Sequence, residues 1–287
     1  MLYYICNQEM EEMKMNNNYI NYLTANRKSV RTIETYTDYV QKMLKFVGKP
    51  DTEITKADLL NWQNSISHLS PSTINLQISA IKSYFGFLFD MEIIDSDPSV
   101  KLKKVKNNPK VKPFIGVEDI NKMISVAKSD RNKAIISMLA STGLRISELK
   151  SITLKEYMSN PCQIVITGKG NKQRVVYIPE STQKQINIYL KNRNVESDCL
   201  FCSRIGGAID TNKIDDALKR VAKNAKLPYW EDMSAHCLRS AFCSNMLAQN
   251  VPVNIVRDMM GHASIATTNI YAKSAQNEIR EYMMRGY

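Results

Sequence analysis

In 287 residues a single stretch reads as β structure, and this restricts the fold more than any other feature. Ile164, Val165 and Ile166 lead into Gly168-Lys169-Gly170-Asn171, and Val175–Ile178 return. Gln163–Pro179 is therefore expected to form a hairpin with a glycine-bearing turn. Elsewhere the apolar residues recur at three- and four-residue steps, so the chain is mainly α with a small β-hairpin. A short helix is expected around Asn17–Thr24. Lys28–Lys49 follows, with Val30, Ile33, Thr37, Val40, Leu44 and Val47 in register and Gly48-Lys49-Pro50 as a stop. Thr55 can cap a third helix carrying Leu59, Leu60 and Trp62. Ser70-Pro71-Ser72-Thr73 opens a fourth, with Ile74, Ile78, Ile81, Phe85 and Leu88 on one stripe. Four helices in this space make a small all-α domain ending near Asp90–Asp97.

Residues 98–112 change character. Lys101, Lys103, Lys104, Lys106, Lys110 and Lys112 lie there, no acid occurs between Asp97 and Glu118, and Pro109 and Pro113 keep the segment extended. It reads either as a solvated connector or as a strap along nucleic-acid phosphates. Beyond it, helices are expected at Gly116–Ala127, Arg131–Ser141 and Arg145–Leu154, then the hairpin, then helices at Ser181–Lys191 and Lys213–Ala225. The tail Ser274–Tyr287 can form one more helix, with Ile279, Met283 and Met284 exposed unless a partner covers them.

Charge narrows the partner. The net charge is +11, with 15 Lys and Arg against 12 Asp and Glu up to residue 112 and 24 against 16 after it. That excess points to a polyanion, nucleic acid before anionic membrane. No apolar run approaches the roughly 18 residues of a membrane span, and Met1–Met15 lacks the basic start of a secretory signal. This opening reads as a lead-in, with Met10, Met13 and Met15 as alternative starts, and a cytoplasmic location is expected. The six cysteines fit a reducing compartment. Cys199-Leu-Phe-Cys202 lacks the second pair or histidine that a zinc site needs, so burial is its expected role and no metal or cofactor is expected.

The chemistry-bearing residues concentrate in Ser234–Tyr271, which holds His236, Arg239, His262 and Tyr271. His236 and Arg239, three residues apart, share a helix face. Together with upstream boxes, this stretch carries a resemblance. Ser141-Thr142-Gly143-Leu144-Arg145-Ile146-Ser147-Glu148-Leu149 resembles the first arginine box of the tyrosine recombinases, the phage-integrase and Xer-like family. Gly168-Lys169-Gly170-Asn171-Lys172-Gln173-Arg174 is similar to the family's hairpin lysine motif. His236-Cys237-Leu238-Arg239 matches its His-x-x-Arg box, and Met260-Gly261-His262 with Thr267-Thr268-Asn269-Ile270-Tyr271 its Gly-His and nucleophile segments. One departure is Ser240, where many relatives carry histidine; altered local packing with intact chemistry is expected.

The resemblance implies an N-terminal helical core-binding domain and a mixed α+β catalytic domain. It divides the chain into a lead-in (1–15), a DNA-clamp domain (16–97), the lysine linker (98–112), the catalytic domain (113–273) and a C-terminal helix (274–287) that would be exchanged between subunits. It also implies the roles. Arg145 and Arg239 would hold the phosphate, since a guanidinium fork binds two oxygens at once. Tyr271 would attack phosphorus and form a 3′-phosphotyrosyl link that stores the bond energy, so rejoining needs no ATP. Lys169 would protonate the leaving 5′-oxygen, with Lys172 and Arg174 as rivals. His236 would assist proton transfer and His262 would donate to the phosphate, while Glu148 would orient its neighbours. Lys101, Lys103, Lys104, Lys106, Lys172 and Arg174 are DNA-contact candidates. The implied partners are double-stranded DNA, three further copies of the chain in a tetramer on that DNA, and accessory recombination factors. Integration, excision and inversion of DNA are the biological jobs in view, and no arm-binding domain is expected before residue 16. A type IB topoisomerase, a DNA-binding protein that no longer cuts and a metal-dependent nuclease are the competing classes. The short N-terminal domain and the Xer-like boxes weigh against the first, the complete set of Arg145, Lys169, His236, Arg239, His262 and Tyr271 against the second, and the lack of a carboxylate cluster against the third.

Overall fold

A computed structural model describes residues 17–107, 114–168 and 173–261, and the chain divides into two compact units, Met1–Lys110 and Val111–Tyr287. The lead-in, Lys169, Lys172, His262, Tyr271 and the 274–287 helix lie outside the described residues.

Among the described residues, the regular structure of the N-terminal unit is all helical. Helix α1 occupies residues 17–25, α2 is Val30–Val47, α3 Lys56–Ser65 and α4 Pro71–Asp90. Each later helix starts where the sequence supplies a cap. Ser29 and Ser70 accept from backbone N–H groups three residues on, and Thr55 forms a reciprocal box with Asp58. Gly48 ends α2 in the left-handed region at φ 66°. The stripe of α4 (Ile74, Ile78, Ile81, Tyr84, Phe85, Leu88) buries against Val40 and Met43 of α2, Leu59 and Trp62 of α3, and Tyr19 and Leu23 of α1.

Residues 98–107, the described part of the expected 98–112 connector, are not free of the fold. They pack on the N-terminal unit: Leu102 is buried in its core, and Val105 packs against it. The physical reason is that Leu and Val interrupt the lysines, so apolar side chains anchor the segment while the charged ones stay in water.

In the second unit α6 (Asp130–Thr142) is the central element, buried through Ala134–Leu139. Around it lie α5 (Val117–Val126), α9 (Glu180–Lys191), α10 (Thr211–Asn224) and α11 (Ala235–Ala248). The expected hairpin is present: β1 (Gln163–Thr167) pairs antiparallel with β2 (Gln173–Tyr177), with Val165 opposite Val175. The expected helix Arg145–Leu154 is divided into α7 (Ile146–Ser151) and α8 (Leu154–Ser159). Thr153 leaves the helix to cap α8 through a box with Glu156, and Leu200 N–H bonds the Ile152 carbonyl. This T-x-x-E signal was legible in the sequence, yet the apolar period overrode it. Cys199 and Cys202 flank the bridged segment, and Cys202 is buried beside Tyr189. Among the described residues, no helix is long and apolar enough to cross a membrane.

Helix α6 ends at Gly143, whose φ is 62°. A Cβ there would run into the Phe242 ring and lie 2.9 Å from Met260 Sδ, so α6, α11 and α12 (Val253–Met260) meet at a point only glycine allows. Gly143→Ala combines a left-handed backbone with overpacking and should lower unfolding free energy by about 3 kcal/mol or more, measured by denaturant titration.

Candidate active site

Arg145 stands at the N-cap of α7, and Glu148 one turn later accepts its backbone N–H at 2.8 Å. The same carboxylate turns inward, 6% exposed, and collects guanidinium groups. Arg145 Nη1 lies 2.7 Å from Glu148 Oε1, and Arg239 Nη1 is 3.9 Å from Oε2. Arg174 meets it with a two-pronged fork, Nη1 to Oε1 at 3.0 Å and Nη2 to Oε2 at 2.7 Å.

The cluster has a second set of anchors. Helix α12 ends at Gly261 in the left-handed region, φ 61°, which leaves its last carbonyls without helical partners. Each takes one arginine: Met259 O accepts from Arg174 Nε at 3.1 Å, Met260 O from Arg239 Nη2, and Gly261 O from Arg145 Nη2 at 3.0 Å. Arg239 Nη1 also donates to Gly143 O at the end of α6. Helix C-termini carry partial negative charge, so two of them here stabilise cations. Among the described residues, three guanidinium groups against one carboxylate give this cluster a net positive charge suited to a phosphate.

Exposure separates the three. The Arg239 and Arg174 side chains are 5% and 11% exposed, whereas Arg145 is 37% exposed and is the member that reaches the surface. His236 lies exposed on the first turn of α11, one turn before the buried Arg239. That helix is capped across the fold, because Asp215 on α10 accepts the Ala235 N–H at 2.7 Å. Ser240 is buried, and its hydroxyl donates to the His236 carbonyl at 2.8 Å.

The structure thus brings Arg145, Arg239 and Arg174 together and sets His236 on the same helix as Arg239. Lys101, Lys103, Lys104 and Lys106 are exposed on the other unit. Arg174, by sequence a DNA-contact candidate and a rival to Lys169, has its guanidinium committed to Glu148 and the Met259 carbonyl. A signal for this existed: Arg174, Val176 and Ile178 alternate, and the last two are buried, so a charge in that row needs an internal partner. The roles of the carbonyls at 143 and 259–261 had no side-chain signature.

Burial alone would raise the Glu148 pKa, yet hydrogen bonds from Arg174, from the Arg145 backbone and from the Arg145 side chain outweigh it. Together with the charge of Arg174 they bring it to about 2. The Cys243 thiol behind Arg239 goes the other way, pushed up to about 11 by burial although Arg239 opposes the rise.

Residues 114–278 match the phage integrase family, and residues 16–95 match the phage integrase N-terminal SAM-like domain. The chain belongs to the phage integrase family, whose members are the tyrosine recombinases. It is a site-specific recombinase, an enzyme that cleaves and rejoins DNA through a covalent tyrosine intermediate. Its relatives include tyrosine recombinase XerA of Pyrococcus horikoshii, 31% identical over 266 residues and covering 91% of this chain and 89% of that protein. Tyrosine recombinase XerC of Listeria welshimeri is 25% identical over 295 residues, covering 96% and 98%. The fold is shared with XerH recombinase in its post-cleavage complex with palindromic difH substrate, at TM-score 0.73, 22% identity and 90% and 81% coverage. A lambda integrase dimer on a COC′ core site gives TM-score 0.73, 12% identity and 90% and 94% coverage.

Two outcomes follow from the cluster. A carboxyl held below its ordinary value stabilises the fold above that value, and the contribution fades as pH falls from about 4.5 toward 2. Glu148→Gln should therefore be less stable than wild type at neutral pH by about 3 kcal/mol, and the gap in denaturation midpoint should close through that acid window. Arg174→Lys keeps the charge but loses the fork. DNA affinity should stay within about twofold while strand cleavage falls about tenfold or more, read as single-turnover rates.

Proposed function

We propose that Tyr271 is the nucleophile that attacks the scissile phosphate, and that Arg145 and Arg239 bind its non-bridging oxygens. The observation that carries this reading is the paired seating of these two guanidinium groups against Glu148 and the C-terminal carbonyls of α6 and α12. Fixed cations of this kind favour the extra negative charge of the pentacoordinate transition state and need no reorganisation when it forms. Lys169, which follows β1 and precedes β2 in the sequence, protonates the leaving 5′-oxygen. His236 assists proton transfer near the nucleophile, and His262, directly after the Gly261 cap, donates a hydrogen bond to the phosphate.

The phosphotyrosyl bond conserves the energy of the broken phosphodiester, so religation runs without ATP, and the protein's own cations supply the charge that a metal would bring elsewhere. The partner is double-stranded DNA, in keeping with the net charge of +11 and with relatives solved on DNA. Residues 16–97 act as a helical clamp and 113–273 as the catalytic domain. Joining two duplexes requires four active sites, hence a tetramer on DNA in which residues 274–287 pass to a neighbour. Accessory recombination factors bind this assembly, which works in the cytoplasm on integration, excision or inversion.

Covalent trapping tests the assignment. On a nicked duplex taken from sequence flanking the gene, wild type should give an SDS-resistant protein–DNA band, and Tyr271→Phe should give none. Tight binding by both proteins with no band from either would instead favour a DNA-binding protein that does not cut.

A further inference from the structure

The segment that carries the lysines of residues 98–107 is tied to the N-terminal unit by side-chain hydrogen bonds, most of them to its backbone. Asn75, partly buried on α4, grips Val105 from both sides: its Nδ2 donates to Val105 O at 2.9 Å, and its Oδ1 accepts Val105 N–H at 2.8 Å. This is the pairing a neighbouring strand would make, supplied by one side-chain amide. Gln63 Nε2 donates to Lys103 O at 3.1 Å, Lys82 Nζ to Val100 O at 3.0 Å, and Asn107 Nδ2 to Ser72 Oγ at 3.1 Å. Leu102 completes the attachment by burial. Between these tethers Lys101, Lys103, Lys104 and Lys106 are all exposed.

The surface under the strap is unusual in charge as well. Residues 59–81, which supply Gln63, Ser72 and Asn75, contain no Asp, Glu, Lys or Arg. The side chains that hold the segment, Gln63, Ser72, Asn75 and Lys82, include no carboxylate, and residues 59–81 offer the four lysines none to pair with. A solvated face normally mixes the two signs, whereas a face for a polyanion excludes acids.

We propose that residues 98–107 are a preformed phosphate-binding edge of the N-terminal unit, with Asn75 as the positioning residue that fixes its register. This rests on the reading of double-stranded DNA as the partner. Lysine side chains carry large rotamer freedom, and a loose segment would also lose backbone freedom on binding. Holding the backbone in advance removes the second cost, so the same charges bind more tightly.

The test is a salt series of duplex binding by the intact chain, followed by fluorescence anisotropy. Replacing Lys103 and Lys106 together by alanine should reduce the slope of log affinity against log salt by up to about 1.8, since each phosphate contact contributes about 0.9. Asn75→Ala keeps every lysine, so its slope should match wild type while affinity falls about three- to tenfold at each salt concentration. Hydrogen exchange at the Val105 amide should be slow in wild type and fast in Asn75→Ala. Gln63→Ala, a milder change at the strap's edge, should shift affinity in the same direction and serves if Asn75→Ala does not fold. An unchanged slope in the double lysine variant, with binding retained, overturns the phosphate edge. Wild-type affinity in Asn75→Ala with a freely exchanging Val105 amide overturns the positioning role. Failure of wild type to bind any duplex would instead remove the DNA reading itself.

Discussion

The catalytic unit depends on one buried carboxylate. Glu148 has about the burial of a core residue, yet it is held ionised by the groups around it, with a fork from Arg174 and hydrogen bonds from Arg145. A buried charge without partners is strongly unfavourable, and so is a buried guanidinium. Each therefore requires the other. The hairpin (through Arg174), α7 (through Arg145) and α11 (through Arg239) are joined at this one residue.

The excess of cations over carboxylate is where structure turns into chemistry. Glu148 alone cannot neutralise three guanidinium groups, and the remaining compensation comes from carbonyl dipoles at two helix ends. Dipoles hold a cation in place without cancelling its charge. Arg145 and Arg239 are thereby fixed and still positive, as the proposed binding of a phosphate in a more highly charged transition state requires. Gly143 and Gly261 are needed for the same reason. Both end a helix in the left-handed region, and both turn backbone carbonyls toward the arginines.

The N-terminal unit shows the same economy on a smaller scale. Its core is made by stripes on four helices, and its basic strap is attached by two apolar side chains and a few amides. Alternation of lysine with Leu102 and Val105 lets one segment be anchored and highly charged together. A run of lysine alone would leave nothing to bury and would stay in solvent.

Much of this was legible in the sequence. The helical stripes, the serine and threonine caps, the single hairpin and the family boxes from Ser141 to Tyr271 are local patterns. Periods of 3.6 and 2, and cap residues at fixed offsets, act over a few positions and survive without knowledge of the fold. Glu148 was legible as an orienting residue because it sits one turn after Arg145. What required tertiary structure is every contact between distant segments: Arg174 with Glu148, Arg239 with Gly143, the end of α12 with three arginines, Asp215 capping α11 and Asn75 holding Val105. Backbone carbonyls carry no identity in a sequence, and a buried arginine looks like a surface one until its neighbours are placed. The residue types were set by the sequence, but only the packing of α6, α11 and α12 around Gly143 decided that Arg239 would be buried between helix-end carbonyls while Arg145 reaches the surface.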